Sequence, residues 1–399
     1  MDPFDLNLRH LRALAAIVAR GSMSAAAEVV SLSQPALTQG LAKLEREIGA
    51  ALFDRRADGM TPTEAGLALA ARADTAFARL GGAIPGGGRG FARPERLMTA
   101  TQLRAFLALA DAGSFVGAGA ATGLSQPAIH RAVRDLEQVC GMVLVERRGR
   151  GIVLSDAGRR LTRGVRLAAA EIAAGIVEAA PDLGGGRIAI GAMPLSRALL
   201  LPRAIARIAQ ETPAARFDIS EGSWRELVEP LRDGAIDMMI GALREAAPDL
   251  HQAPLLDDRL VIVGRAGHPL AGAAMPSREA LAAYPWVVAR VGAPLRSLWQ
   301  RLFADGRGTS EPHAPIECGS VMVIRGILRD GDFLTMLSPD QVALEIDSGM
   351  LATVGPELAS SGRVIGVTTR AGWSPTRVQA RFLEVLAGCA DAIMNQDFE

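Results

Sequence analysis

The stretch LSQPALTQGLAKLE at Leu32–Glu45 returns ninety-two residues later as LSQPAIHRAVRDLE at Leu124–Glu137. A repeat of this length constrains the architecture more than any bulk property, because each copy must bury the same face in the same way. The two copies align without a gap. Leu11 matches Leu103, Gly21-Ser22 matches Gly113-Ser114, and Leu44-Glu45 matches Leu136-Glu137. Gly49 matches Gly141, Arg55-Arg56 matches Arg147-Arg148, and Ala65-Gly66 matches Ala157-Gly158.

Within each copy the quoted stretch reads as one helix. Ser33 and Ser125 suit the N-cap, and Pro35 and Pro127 fall in the first turn, where a missing N–H costs nothing. Leu37, Leu41, Leu44 and Ile48 recur at helical spacing, as do Ile129, Val133, Leu136 and Cys140, so these positions face a core. The opposite flank carries Gln34, Thr38, Gln39 and Lys43 in the first copy, and Gln126, His130, Arg131 and Arg134 in the second.

A short small-residue helix precedes each of these, capped by Ser22 or Ser114, which gives a helix-turn-helix. Two short strands follow each, around an arginine-bearing tip with Arg55 and Arg56 or Arg147 and Arg148; a long helix then starts at Thr63 or Ser155. Helix-turn-helix plus basic hairpin is a winged helix. Its polar flank suits the major groove, where Gln reads adenine and Arg reads guanine. The wing arginines suit phosphates or a narrow minor groove. The bland alternative is a solvated surface helix, with His130 an ordinary surface histidine.

Residues 81–96 are rich in Gly and Pro and read as a flexible linker; PDLGGGR at 181–187 marks a second break. Beyond it, β-branched runs alternate with helical segments, the sign of an α/β domain with a largely parallel sheet. The chain has no net charge, yet residues 1–183 hold 22 basic and 18 acidic side chains, and 184–399 hold 21 and 25. That asymmetry hints at an anionic partner for the front half. Cys140, Cys318 and Cys389 form no C-x-x-C pair, which fits a reducing cytoplasm. The N-terminus lacks the basic-then-apolar pattern of a signal peptide. No apolar run reaches the roughly 18 residues of a membrane span.

The stretch from Gly21 to Gly66 strongly resembles the DNA-binding domain of LysR-type transcriptional regulators, carried by Ser-Gln-Pro-Ala, Leu-Glu-x-x-x-Gly and Leu-Phe-x-Arg-Arg. The family's usual plan is one winged helix, a long dimerising helix and a two-lobed effector domain. Here the resemblance implies two winged helix-turn-helix domains followed by an α/β two-lobed domain like periplasmic binding proteins. The expected divisions are 1–84, a linker at 85–98, 99–183 and 184–399, with lobe I at about 187–261 plus the C-terminal segment and lobe II at about 262–364.

The copies depart from the family pattern. Gly40 follows Thr38-Gln39 and weakens its helix by roughly 1 kcal/mol relative to alanine, while Gly117 and Gly119 loosen the short helix of the second copy. Both copies are expected to read promoter DNA, the linker letting one chain reach two half-sites. A homodimer or homotetramer is expected, with RNA polymerase as a further partner. By resemblance, the effector site is made by Met193, Pro194, Ser196 and Arg197, by Ser223 and Trp224, by Gly292, Pro294 and Arg296, and by Gly319 and Ser320. Phrases such as AGHPLAG and GAPLR resemble the group of family members that includes the galactose-binding-protein and protocatechuate-pathway regulators. They imply a sugar, sugar acid or aromatic acid as effector.

No G-x-S-x-G, Walker or H-E-x-x-H motif is present, and the five histidines show no metal-ligand spacing. Neither enzyme chemistry, a metal nor a cofactor is therefore expected. The rival reading is a small-molecule-binding protein or enzyme in which one or both helix-turn-helix units serve only for oligomerisation.

Overall fold

The structure, a computed structural model, describes residues 1–56, 59–84, 91–149, 151–180, 185–194, 200–272, 274, 276–304 and 312–396. Its front part is helical and its back part α/β. The first unit runs α1 (Leu8–Arg20), α2 (Met23–Val30), α3 (Gln34–Ile48), β1 (Phe53–Arg56), β2 (Gly59–Pro62) and α4 (Glu64–Gly82). The second repeats that order as α5 (Ala100–Ala112), α6 (Phe115–Thr122), α7 (Gln126–Cys140), β3 (Val145–Arg148), β4 (Gly151–Leu154) and α8 (Asp156–Ala179).

Side-chain caps start every helix after the first in each unit. Ser22, Ser33 and Thr63 accept from the backbone N–H three residues on, as do Ser114, Ser125 and Ser155. Four orphan N–H groups open each helix, so these oxygens set where the chain turns helical. Gly21, Gly49, Gly113 and Gly141 end helices in the left-handed region, a backbone conformation that residues with a side chain adopt only with strain.

The helices α4 and α8 pack against each other. A Cβ on Gly164 would lie 2.4 Å from Ala83, and one on Gly175 would lie 3.0 Å from Cβ of Arg72. The numbers rise along one helix as they fall along the other, so the pair is antiparallel. Leu69, Ala70, Ala73, Ala76 and Leu80 meet Leu161, Val165, Ala168, Ile172 and Ile176 in one continuous core that spans both units.

The segment before α5 departs from the expected free linker. Pro94 and Met98 are buried. Arg12 of α1 donates to the carbonyls of Arg96 at 2.8 Å and Glu95 at 2.7 Å. Residues 94–98 are thus docked on the first unit by two apolar anchors and a guanidinium.

In the back part, β5 (Arg187–Ala192), α9 (Leu200–Glu211), β6 (Arg216–Glu221), α10 (Trp224–Arg232), β7 (Met238–Ala242) and β8 (Leu250–Asp258) build one side. Lobe II holds β9 (Val261–Arg265), α11 (Arg278–Ala282), β10 (Val287–Val288), α12 (Pro294–Phe303), β11 (Ile316–Glu317), α13 (Val321–Asp330), β12 (Thr335–Leu337), α14 (Ala343–Asp347) and β13 (Leu351–Thr353). The chain then returns through β14 (Arg363–Arg370) and ends in α15 (Arg377–Gln396). The first sheet has the order β6-β5-β7-β14-β8, and lobe II is organised by β12-β9-β13 and the pair β10-β11. The chain therefore crosses between lobes twice, at 258–261 and between β13 and β14. Phe382, Val385 and Leu386 of α15 close the core of lobe I.

Two glycines expose a constraint that helix propensity misses. A Cβ on Gly66 would sit 2.1 Å from the carbonyl of Leu52, and one on Gly158 would sit 2.1 Å from that of Leu144. Gly326 in α13, by contrast, has open space. Gly158→Ala is expected to destabilise the protein by about 2–3 kcal/mol through overpacking, whereas Gly326→Ala should stabilise it by about 0.5–1 kcal/mol. Chemical denaturation of both variants checks the two signs.

Candidate DNA interface and effector cleft

The polar flanks of α3 and α7 face solvent. Gln34, Pro35, Thr38, Gln39 and Lys43 are exposed, and so are Gln126, Pro127, Arg131 and Arg134. Ser33 and Ser125 cap the two helices and stay exposed. Thr38 donates to the Gln34 carbonyl at 3.0 Å, and Lys43 lies 3.6 Å from Glu47. His130 is less free than its neighbours: half-buried, its ring leans on Phe115 with centroids 5.4 Å apart. Burial pushes the Cys140 thiol up to about 11, so it acts as an apolar core group.

Behind α3, Gly40 serves packing. A Cβ there would meet the His10 ring at 2.7 Å. Glycine lets α1 approach, and this close fit, chiefly through burial and then Lys43, holds the His10 pKa below its ordinary value. Gly119 does similar service in the second unit, where a Cβ would lie 3.0 Å from the Leu124 carbonyl.

Each hairpin is tied to its helix by one carboxylate. Glu45 accepts from the N–H of Leu52 at 2.9 Å and of Phe53 at 3.3 Å. Glu137 accepts from Leu144 at 2.8 Å and Val145 at 3.3 Å. The side chains of Arg55 and Arg56 lie outside the described residues, while Arg147 and Arg148 on β3 are exposed. The repeated Leu-Glu pair was visible in the sequence, but the work of its glutamate was not.

In the back part, those expected effector residues that are described lie at the carboxyl ends of parallel strands. Pairing of Ala192 with Glu221 sets Met193 and Pro194 beside Ser223 and Trp224. Pairing of Val288 with Glu317 brings the start of α12 beside the start of α13. Met193 is buried; Pro194 and Ser223 are exposed; Trp224 is half-buried against the lobe I core. Ser223 heads α10, its N–H and hydroxyl both donating to the Glu226 carboxylate at 2.7 and 2.8 Å. Gly292 (φ +85°), Pro294, Gly319 and Ser320 are exposed. Arg296 is largely engaged, donating to Glu317 at 2.9 Å with its guanidinium 5.0 Å over Trp299. Ser196 and Arg197 lie outside the described residues. Gln341, not anticipated, crosses from lobe II to donate to the Pro194 carbonyl at 3.2 Å.

At the lobe crossing, Asp258 accepts from Arg363 and from Ser338, both at 2.6 Å. One carboxylate thus ties both crossing strands to the end of β12. Among the described residues no group of three or more His, Cys, Asp or Glu side chains is placed to hold a metal ion. No described helix is long and apolar enough to cross a membrane.

Comparison with known proteins matches this geometry to a family. The model of the LysR substrate binding domain matches residues 181–390. That of the bacterial regulatory helix-turn-helix protein, lysR family, matches residues 8–67 and 100–159. The HTH-type transcriptional regulator GalR of Pseudomonas putida is 34% identical over 370 residues, which is 92% of this chain and 93% of that protein. The chain belongs to the LysR family.

It is a DNA-binding transcriptional regulator with a small-molecule effector domain. The SDS degradation transcriptional activation protein of a Pseudomonas strain is 34% identical over 68% of this chain and 90% of its own length. ArgP from Mycobacterium tuberculosis shares the fold, with a TM-score of 0.58 at 20% identity over 72% of this chain and 96% of that one.

In this LysR chain the effector domain rests on the helix pair through Arg72, which is 7% exposed. Arg72 donates to Glu171 at 2.9 Å and to both oxygens of Glu178 at 2.7 and 3.2 Å. It also donates to the carbonyls of Ser374 at 2.9 Å and Pro375 at 3.1 Å. A guanidinium has five N–H donors, and all are used. Arg163 pairs with Glu229 and Asp233 at the end of α10, and Arg79 donates to the Gly372 carbonyl. Sequence reading missed these residues because their partners lie up to 303 positions away.

Glu137→Ala should destabilise the second unit by about 2 kcal/mol, since two N–H groups lose an ionised acceptor. Glu45→Ala should do the same in the first. A denaturation midpoint unmoved in both variants would show that the tie contributes nothing.

Proposed function

We propose that both units are winged helix-turn-helix modules and that both read duplex DNA, α3 and α7 each entering a major groove. The observation that carries the reading is the pair of capped helices with exposed flanks, Gln34, Thr38, Gln39 and Lys43 on one and Gln126, Arg131 and Arg134, with the half-buried His130, on the other. Arg131 and Arg134 suit guanine, and the glutamines suit adenine. Arg147 and Arg148, with Arg55 and Arg56 in the first unit, are assigned to phosphates. Relative lengths support two modules. The Pseudomonas putida regulator aligns with 92% of this chain, while the Agrobacterium fabrum regulator PcaQ aligns with 73% of it and 95% of its own length.

The proposed divisions are 1–84, 85–98, 99–183 and 184–399. The effector, a sugar, sugar acid or aromatic acid, is assigned to the space between the ends of β5 and β6 and those of β10 and β11. Free N–H groups at the starts of α10, α12 and α13 suit hydroxyl or carboxylate oxygens. Closing the lobes would act on Asp258 and Arg363, and so on β14. The loop after β14 holds Arg72 and Arg79 of α4, so lobe closure reaches the readers through that strand. The setting proposed is the cytoplasm, with RNA polymerase as a partner on the promoter.

Binding to a promoter fragment should weaken steeply with salt. Arg131→Ala should cost about 1–3 kcal/mol and relax preference at one base pair, whereas Arg147→Ala should weaken all sequences alike and lower the salt slope by about 1. Unaltered base preference in Arg131→Ala and Gln34→Ala alike would count against base reading.

A further inference from the structure

We infer that a single chain is a complete two-reader DNA-binding unit, with an internal two-fold, that recognises two unlike half-sites in inverted orientation at one spacing. The inference rests on the reading of α3 and α7 as DNA readers and adds what the packing of the units implies about the operator.

The two-fold is read from reciprocal contacts. With the ninety-two-residue offset, Gly164 is the counterpart of Arg72 and Gly175 that of Ala83. Gly164 touches Ala83, and Gly175 touches Arg72. Each position of one helix therefore meets the counterpart of its own partner, the signature of an isologous interface. A second, independent set of contacts repeats the pattern. The turn Pro3–Asp5, which precedes α1, packs on α5 and α8; the turn Pro94–Arg96, which precedes α5, packs on α4. Arg12 of α1 holds the carbonyls of Glu95 and Arg96, and its counterpart Arg104 of α5 holds Asp5 at 2.6 Å and Asp2 at 3.5 Å. Each unit thus clasps the leading segment of the other. Leu6 and its counterpart Met98 are both buried beneath these clasps.

Two readers related in this way present α3 and α7 to the duplex with opposite polarity, so their targets are inverted repeats. The helix pair and its shared core hold the spacing, so the readers do not adapt as tethered modules would. The readers also differ. Thr38 and Gln39 stand where the second unit has His130 and Arg131; Ala42 and Lys43 stand where it has Arg134 and Asp135. Guanidinium readers favour guanine, so the half-site under α7 is richer in guanine than that under α3. A two-chain dimer of identical readers would favour a symmetric operator. This chain favours an oriented one, and its one effector domain lies on a defined side of it.

The test is selection of duplexes from a random-sequence pool with the full-length chain, repeated with Arg131→Ala and with Gln34→Ala. The masses of complexes on the winning duplex then give the stoichiometry. The expected result is two related but unlike half-sites, inverted, at one spacing, with one chain bound per pair. Each variant should lose preference in one half-site only. Inserting five base pairs between the half-sites, half a helical turn, should weaken binding at least about 100-fold. Direct repeats, tolerance of the insertion, or two identical half-sites each needing its own chain would overturn the internal two-fold while leaving DNA reading intact. Enrichment of a single half-site that ignores one of the variants would overturn the reading of that unit as well. No enriched sequence at all would overturn both.

Discussion

The antiparallel crossing of α4 and α8 is the contact on which the front of the molecule depends. It works because both helices are narrow where they meet. Ala70, Ala73 and Ala76 face a partner with Gly164 and Gly175 at the closest points. Small residues let helix backbones approach, and leucine and isoleucine side chains pack around them. Since α1 rests on α4 and α5 on α8, the two front units take their relative placement from this crossing. The caps at Ser33 and Ser125 decide where α3 and α7 begin; the crossing decides how their units are set against each other.

Much of the local structure was legible because its causes are local. A serine before a proline in the first turn, leucines at helical spacing and a glycine at the end give α3 and α7 almost residue by residue. What was not legible depends on partners distant in the chain. Gly40 reads as a weak point in a helix, and only the His10 ring reveals that a side chain there would push α1 away. Residues 81–96 read as free linker because their glycines and prolines favour turns, yet Pro94, Met98 and the reach of Arg12 dock residues 94–98. Of the residues argued for the effector cleft, the strand-end positions came from the family resemblance. Gln341 and Asp258 were not legible, since their partners are set by how two lobes meet.

The effector part shows a comparable division of labour. One strand, β14, begins at the crossing between lobes, where Arg363 meets Asp258, and ends at Arg370, buried against the carbonyls of Leu231 and Ile236. The next few residues carry the carbonyls that Arg72 and Arg79 hold. Eight residues at about 3.3 Å each span roughly 26 Å. The path from lobe crossing to helix pair is thus a single hydrogen-bonded element, flanked on both sides by β7 and β8.

A two-fold helix pair offers two equivalent faces, but the chain has one effector domain, so something must choose between them. The choice lies in side chains that break the repeat. Arg72 corresponds to Gly164, and Arg79 corresponds to Glu171. On the occupied face, Arg72 meets Glu171 and Glu178 and still has donors for the carbonyls of Ser374 and Pro375. On the other, glycine stands at the arginine's place and could hold no carbonyl. A buried ion pair is a weak source of stability, because desolvation offsets most of its attraction, but it discriminates strongly against arrangements that leave a charge unpaired. Docking the effector domain the other way round would leave those carbonyls without Arg72. The two-fold of the helix pair and the single docking of the effector domain are therefore reconciled at one guanidinium.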